Sequence, residues 1–224
     1  MPLFLIGFMA AGKTSVGRAL AAATNRTFVD LDDVVAAMGE PVAQLVARDL
    51  AEFRRREAAA LVTLLGQDAV IATGGGAATY GDNLDRMRAA GLVVALGVDV
   101  DEARRRAGDA TSRPLLANAD QLALERAPVY RRAHAVVSTM GRSIAEVVAG
   151  VRHVERVWTS LPTKNATTGT TIVALGERSY AVTTDAALDP ALVRSQLGSP
   201  TKIAVITDDT VSYTHLTLPT ICSV

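Results

Sequence analysis

The chain has 224 residues, and Lys+Arg and Asp+Glu both stand at 23, so the formal net charge is zero. That balance argues against a general nucleic-acid surface or an acidic-membrane surface, and no apolar run approaches the ~20 residues of a membrane-spanning helix. The single cysteine, Cys222, permits no internal disulfide, which predicts a cytoplasmic protein. The apolar N-terminus "MPLFLI" has no basic leader and is not read as a signal peptide.

In chain order, "LFLIG", "AVIAT", "GLVVALGV" and "HAVVS" are short continuous apolar runs. Such runs suit strands buried on both faces. Between them lie stretches rich in Ala, Leu, Arg and Glu, which predict helices over about 13–24, 49–66, 82–90, 101–107 and 143–157. Strands alternating with helices predict βαβ units and a parallel sheet covered on both sides. The pattern weakens near 158. Residues 159–170 are rich in Ser, Thr, Pro, Asn and Gly and read as a linker. Residues 171–211 read as the start of a strand–helix–strand unit, an incomplete α/β piece whose strands have little of their own to bury. Residues 212–224 change composition again and read as a non-native tail.

Between the first strand and the first helix lies "GFMAAGKT". Gly7, four residues, then Gly12-Lys13-Thr14 complete a phosphate-binding loop in the strand–loop–helix context that loop requires. Backbone N–H groups of Ala10, Ala11, Gly12 and Ser15 can turn toward phosphate, aided by the helix N-terminus. Lysine is scarce: Lys13 precedes Lys164 and Lys202, against twenty arginines. A compact ammonium on a flexible stem reaches β- and γ-phosphates better than a rigid guanidinium fork. Thr14 offers Mg²⁺ a hydroxyl.

A phosphate loop does not name the acceptor. "FVDLDD" carries Asp30, Asp32 and Asp33. As a strand, Asp30 and Asp32 would share one face, one near Mg²⁺ and the other near an acceptor hydroxyl. The same residues also read as a helix cap and first-turn acids, with Asp32 or Asp33 as the cap. In "EFRRRE" three adjacent arginines point around a helix, so at most one serves a site. "TGGGA" (73–77) follows a strand and reads either as a close backbone approach or as a plain loop. Arg113, in "TSRPLL", lies in a polar stretch suited to a lid, and Arg126 precedes Pro128, where a helix break is expected.

Taken together, "GFMAAGKT", "FVDLDD", "EFRRRE", "TGGGA", "RPLL" and "RAPVY" resemble shikimate kinase over residues 1–158. The resemblance implies a nucleoside-monophosphate-kinase-like α/β fold of three layers, with a five-stranded parallel sheet. It implies transfer of the ATP γ-phosphoryl group to the 3-hydroxyl of shikimate, with Mg²⁺, by a monomeric domain. It also implies roles: Lys13 and Thr14 on phosphate and metal, Asp30 near the metal, and Asp32 on the acceptor hydroxyls, as base or as positioner. Arg54 and Arg126 would hold the shikimate carboxylate and Gly75 would offer its N–H. Arg113 would be the lid arginine, Arg106 would stack on adenine, and Arg142 would lie near the adenine loop. Ala10 stands where the family usually has glycine, which is tolerable if its φ is negative. Residues 171–211 resemble the start of 3-dehydroquinate synthase, as if from a native fusion of the two enzymes. Another small-metabolite kinase, such as a gluconate kinase relative, and a non-catalytic nucleotide-binding module are the competing readings.

Overall fold

A computed structural model describes residues 1–108, 118–161 and 169–184. Arg113, most of the predicted linker and everything after Thr184 lie outside the described residues. The elements are β1 (Leu3–Gly7), α1 (Lys13–Thr24), β2 (Thr27–Asp30), α2 (Leu31–Ala36), α3 (Val42–Arg48), α4 (Leu50–Leu64), β3 (Ala69–Ala72), α5 (Asn83–Ala90), β4 (Leu92–Gly97), α6 (Val100–Ala107), α7 (Ala119–Tyr130), β5 (Ala135–Ser138), α8 (Ile144–Ser160), β6 (Gly169–Val173) and β7 (Tyr180–Thr184). The five predicted helices stand within three residues of their expected bounds. Helix α2 follows the helix-cap reading of the aspartates and α7 is the helix expected to break at Pro128, whereas α3 was not expected from the sequence.

The sheet runs β2-β3-β1-β4-β5-β6-β7. Strands β2, β3, β1, β4 and β5 are mutually parallel, as expected. The runs in β1, β3 and β4 are continuous because both faces of the sheet are covered there, whereas β5 is covered on one face only and leaves Val136 47 % exposed, against the expectation for "HAVVS". Along β1, Leu3 and Leu5 enter a core with Val16 and Leu20 of α1 and Val151 and Trp158 of α8. Phe4 and Ile6 enter a second core with Leu31, Phe53, Leu61 and Met87. With neighbours β3 and β4 on opposite sides, β1 leads the chain to a topological switch point at the carboxyl ends of the strands, where α/β sheets bind ligands.

Among the described residues the sheet has seven strands rather than five. Strand β6 adds to β5 in parallel register, Ala135 opposite Ile172, and β7 returns antiparallel on β6. Ile172 is 2 % exposed and lies in the α1/α8 core. The start of the C-terminal piece therefore buries its apolar face against the main sheet, because β5 would otherwise be an open edge.

Two local expectations change. Asp30 and Asp32 do not share a strand face: Asp30 ends β2 and its carboxylate caps α2, accepting from the Asp32 N–H at 3.2 Å. The cap is thus Asp30, not Asp32 or Asp33, and the chain turns helical directly after it. Pro128 does not break its helix, since α7 continues to Tyr130. The carbonyl that the proline leaves unbonded belongs to Leu124, which is 77 % exposed and open to water.

Candidate active site

The phosphate loop joins β1 to α1. Gly12 sits at the N-cap of α1 with φ 89°, and no side chain caps the helix. The first N–H groups of α1 therefore face the cleft with the helix dipole behind them, which is an anion site. Ala10 has φ 56°, so the expected negative φ is not found. A left-handed alanine costs about 1–2 kcal/mol, which glycine would not. Ala11 does not line the cleft; it is fully buried and its N–H donates to the Phe8 carbonyl at 3.3 Å. The Lys13 ammonium folds back onto the carbonyls of Gly7 (2.9 Å) and Phe8 (2.8 Å).

Met9, Ala10, Gly12, Lys13, Thr14, Ser15, Asp30, Asp32, Thr73, Gly74, Gly75 and Arg106 line one cleft of about 500 Å³. At its centre the Thr14 hydroxyl donates to Asp30 Oδ2 at 2.8 Å. These two hard oxygens beside a phosphate loop could hold Mg²⁺. Asp32 Oδ1 is buried with no hydrogen-bond partner among the described residues. Burial, with Asp30 adding repulsion, pushes the Asp32 carboxyl above its ordinary 3.8, while Lys13 and Arg54 pull it back. A buried acceptor atom without a donor is costly unless a ligand supplies one.

The side of the cleft expected to take the acceptor is built on α4, α7 and the glycine run. Arg54 pairs with Glu57 one turn along α4, and its guanidinium lies 4.9 Å from the Phe53 ring centroid. Arg55 and Arg56 bond Glu52 instead, the solvated face expected for two of the three arginines. Glu57 is fully buried, and its Oε1 also lacks a partner among the described residues. Burial raises the Glu57 carboxyl above 4.5 against the pull of Arg54. Arg126, 8 % exposed on α7, faces Gly75. The three glycines give room to three different side chains. A Cβ on Gly74 would collide with Glu57 and come 3.1 Å from Asp32 Oδ1; on Gly75 it would come 3.3 Å from Arg126; on Gly76 it would collide with Arg54. "TGGGA" is therefore a close approach and not a plain loop.

On the side expected to take the nucleotide, Arg106 is tied to Thr139, just past the end of β5. It donates to the Thr139 hydroxyl (2.9 Å) and carbonyl (2.8 Å) and to Glu102 (2.6 Å). Arg142 is exposed in the turn after Thr139 and does not line the cleft. Arg113 lies outside the described residues. Sequence reasoning missed Glu57. It shares the buried stripe of α4 with Phe53, Ala60, Leu61 and Leu64, a placement that the charged run "EFRRRE" does not announce.

Against known proteins, the sequence profile of the family described as shikimate kinase matches residues 9–154. This chain belongs to the shikimate kinase family. It is 41 % identical over 159 residues to the shikimate kinase of Bordetella pertussis strain Tohama I, covering 66 % of this chain and 75 % of the relative. It is 39 % identical over 165 residues to that of Moorella thermoacetica, covering 70 % and 95 %. A solved structure of shikimate kinase from Acinetobacter baumannii in complex with shikimate superposes with a TM-score of 0.66 at 30 % identity, covering 69 % of this chain and 92 % of that one. The family match runs from the phosphate loop into α8, and the cleft residues lie within it. No helix among the described residues is long and apolar enough to cross a membrane.

Proposed function

We infer that this chain transfers the γ-phosphoryl group of ATP to the 3-hydroxyl of shikimate, giving shikimate 3-phosphate and ADP. The observation that carries this reading is the convergence on the glycine run of Asp32, with its unpartnered oxygen, and of Arg54 and Arg126. A small cyclic acid with several hydroxyls needs such a set: guanidinium forks for its carboxylate and a carboxylate for its hydroxyls. The phosphate loop supplies the other reactant's site a few ångströms away, since Gly75 approaches the backbone of Met9 and Gly7.

Phosphoryl transfer asks the protein mainly for positioning and charge neutralisation. Arg54 and Arg126 hold the acceptor carboxylate, and Asp32 holds the attacking hydroxyl and takes its proton. Lys13 leaves the Gly7 and Phe8 carbonyls and follows charge onto the γ-phosphate oxygens. Thr14 and Asp30 would hold Mg²⁺, which when bound neutralises phosphate charge. Arg106 supports the base of the nucleotide, and Arg113 closes on the phosphates. The test is ADP release with shikimate, quinate and gluconate as acceptors. Turnover with shikimate well above the other two is expected; equal or greater turnover with gluconate overturns the reading.

The raised Asp32 carboxyl sets a pH dependence. Asp32 must be ionised to take the proton, so kcat/KM for shikimate should fall as pH drops through its folded-state value. That acid limb should lie above the ordinary 3.8 of an aspartate, because burial raises it. A limb at or below 3.8 in the pH–rate profile would remove Asp32 from the proton's path.

We further propose that residues 1–158 carry the whole kinase activity and that 171–211, which resembles the start of 3-dehydroquinate synthase, contributes none. A chain ending at Ser160 should keep shikimate turnover within about twofold. It should melt earlier, because exposing the Ile172 contact forfeits some of the ~1.5–3 kcal/mol that burying an isoleucine provides. The full chain should make no 3-dehydroquinate with NAD and a divalent metal added. Lost kinase activity in the shorter chain, or synthase activity in the longer, overturns the division.

A further inference from the structure

Tyr130 ends α7 exactly one helical turn after Arg126, so the two side chains share a face. The Tyr130 hydroxyl donates to the Gly75 carbonyl at 2.5 Å, across 55 residues of sequence. It packs against both the core that holds Phe53 and the small cluster of Phe8, Ala103 and Ala119, which Met9 and Ala10 of the phosphate loop also border. Tyr130 therefore borders packing on both sides of the cleft without lining it. We propose that Tyr130 is a positioning residue for the acceptor, its hydroxyl fixing the Gly75 peptide in register with Arg126.

Glycine residues have no side chain to lock a loop, and Gly74, Gly75 and Gly76 stand together, so their backbone must be held from outside. Peptide groups are planar and trans, so fixing the Gly75 carbonyl fixes the orientation of the peptide that continues into Gly76. The anchor and Arg126 belong to the same turn of helix. The carboxylate arginine and the backbone facing the acceptor therefore move together. Burial pushes the Tyr130 hydroxyl up to about 12, so it remains a donor throughout the working pH range. Pro128, between the two residues, forgoes a helix bond without ending the helix.

The proposal rests on shikimate being the acceptor, and the experiment separates the two. Tyr130→Phe in the full chain removes one oxygen and keeps the ring. Loss of one such bond should raise the shikimate KM about tenfold and leave the ATP KM within about twofold. Hydrogen exchange over residues 74–80 should quicken by a similar factor, while exchange over α1 stays unchanged. Unchanged kinetics and exchange, an equal rise in both KM values, exchange quickened throughout, or a variant that fails to fold would each overturn the positioning role. If the parent chain does not phosphorylate shikimate, the proposed function falls, and the local exchange difference alone still decides for or against the Tyr130 anchor.

Discussion

Lys13→Ala is expected to lower turnover with shikimate by ~10²–10³-fold, the loss that follows removal of a preorganised charge-stabilising donor. Lys13 starts α1, at the point where the unpaired helix N–H groups face the cleft, and its ammonium already lies against the Gly7 and Phe8 carbonyls. Those carbonyls hold the charge beside the phosphate site at no cost of search, and the flexible stem lets it follow the γ-phosphoryl group as charge develops. Lys13→Arg should not restore the rate, since a planar fork cannot occupy the same compact position between two carbonyls and a phosphate. The check is kcat at saturating ATP and shikimate, alongside a thermal melt to show that each variant is folded. A folded Lys13→Ala protein with near-normal kcat would remove the lysine from the chemistry.

The phosphate loop was legible because its chemistry is local. A strand, a turn of glycines and a helix start lie within twelve residues, and each has a sequence signature. The parallel sheet was legible for a similar reason, since strands buried on both faces cannot alternate. Other parts of the site depend on contacts far apart in sequence. Glu57 reads as one charge in a charged run, and only the fold shows it buried against Gly74, which is itself 17 residues away. Tyr130 reads as an ordinary aromatic residue near a proline until its hydroxyl is found on Gly75. Asp30 and Asp32 were ambiguous because a carboxylate at a strand end and one at a helix cap use the same residue types. The bond from the Asp32 N–H to Asp30 decides between them. The alanine at position 10 was expected to settle at negative φ. The loop geometry overrides that preference and holds it at φ 56°, as fits a strained position at a functional site. Strand β6 was read as separate because nothing in "TTIV" announces that β5 is its neighbour; pairing partners at sheet edges are set by tertiary placement.

Gly74→Ala is expected to cost at least ~10²-fold in kcat/KM for shikimate, the scale of a 1 Å misplacement of a reacting group. The need at Gly74 is for space and not for a left-handed backbone. A Cβ there would overlap the Glu57 carboxylate and press on Asp32 Oδ1 at 3.1 Å. Glu57 cannot step aside cheaply, because it is fully buried and paired to Arg54. Moving it drags Arg54 out of line. Moving the glycine run instead pulls Gly75 from Tyr130 and Arg126. Either way the acceptor's two handles lose their mutual geometry, while Lys13, Thr14 and Arg106 are untouched. The ATP affinity of the folded variant, measured without acceptor, should therefore change by less than about threefold, consistent with the near-independence of well-separated sites. Gly76→Ala, which displaces Arg54 alone, should raise the shikimate KM with a smaller loss of kcat, because Asp32 keeps its place. If Gly74→Ala instead weakens ATP binding as much as shikimate binding, the glycine run serves the nucleotide side, and the division of the cleft into two reactant halves is wrong.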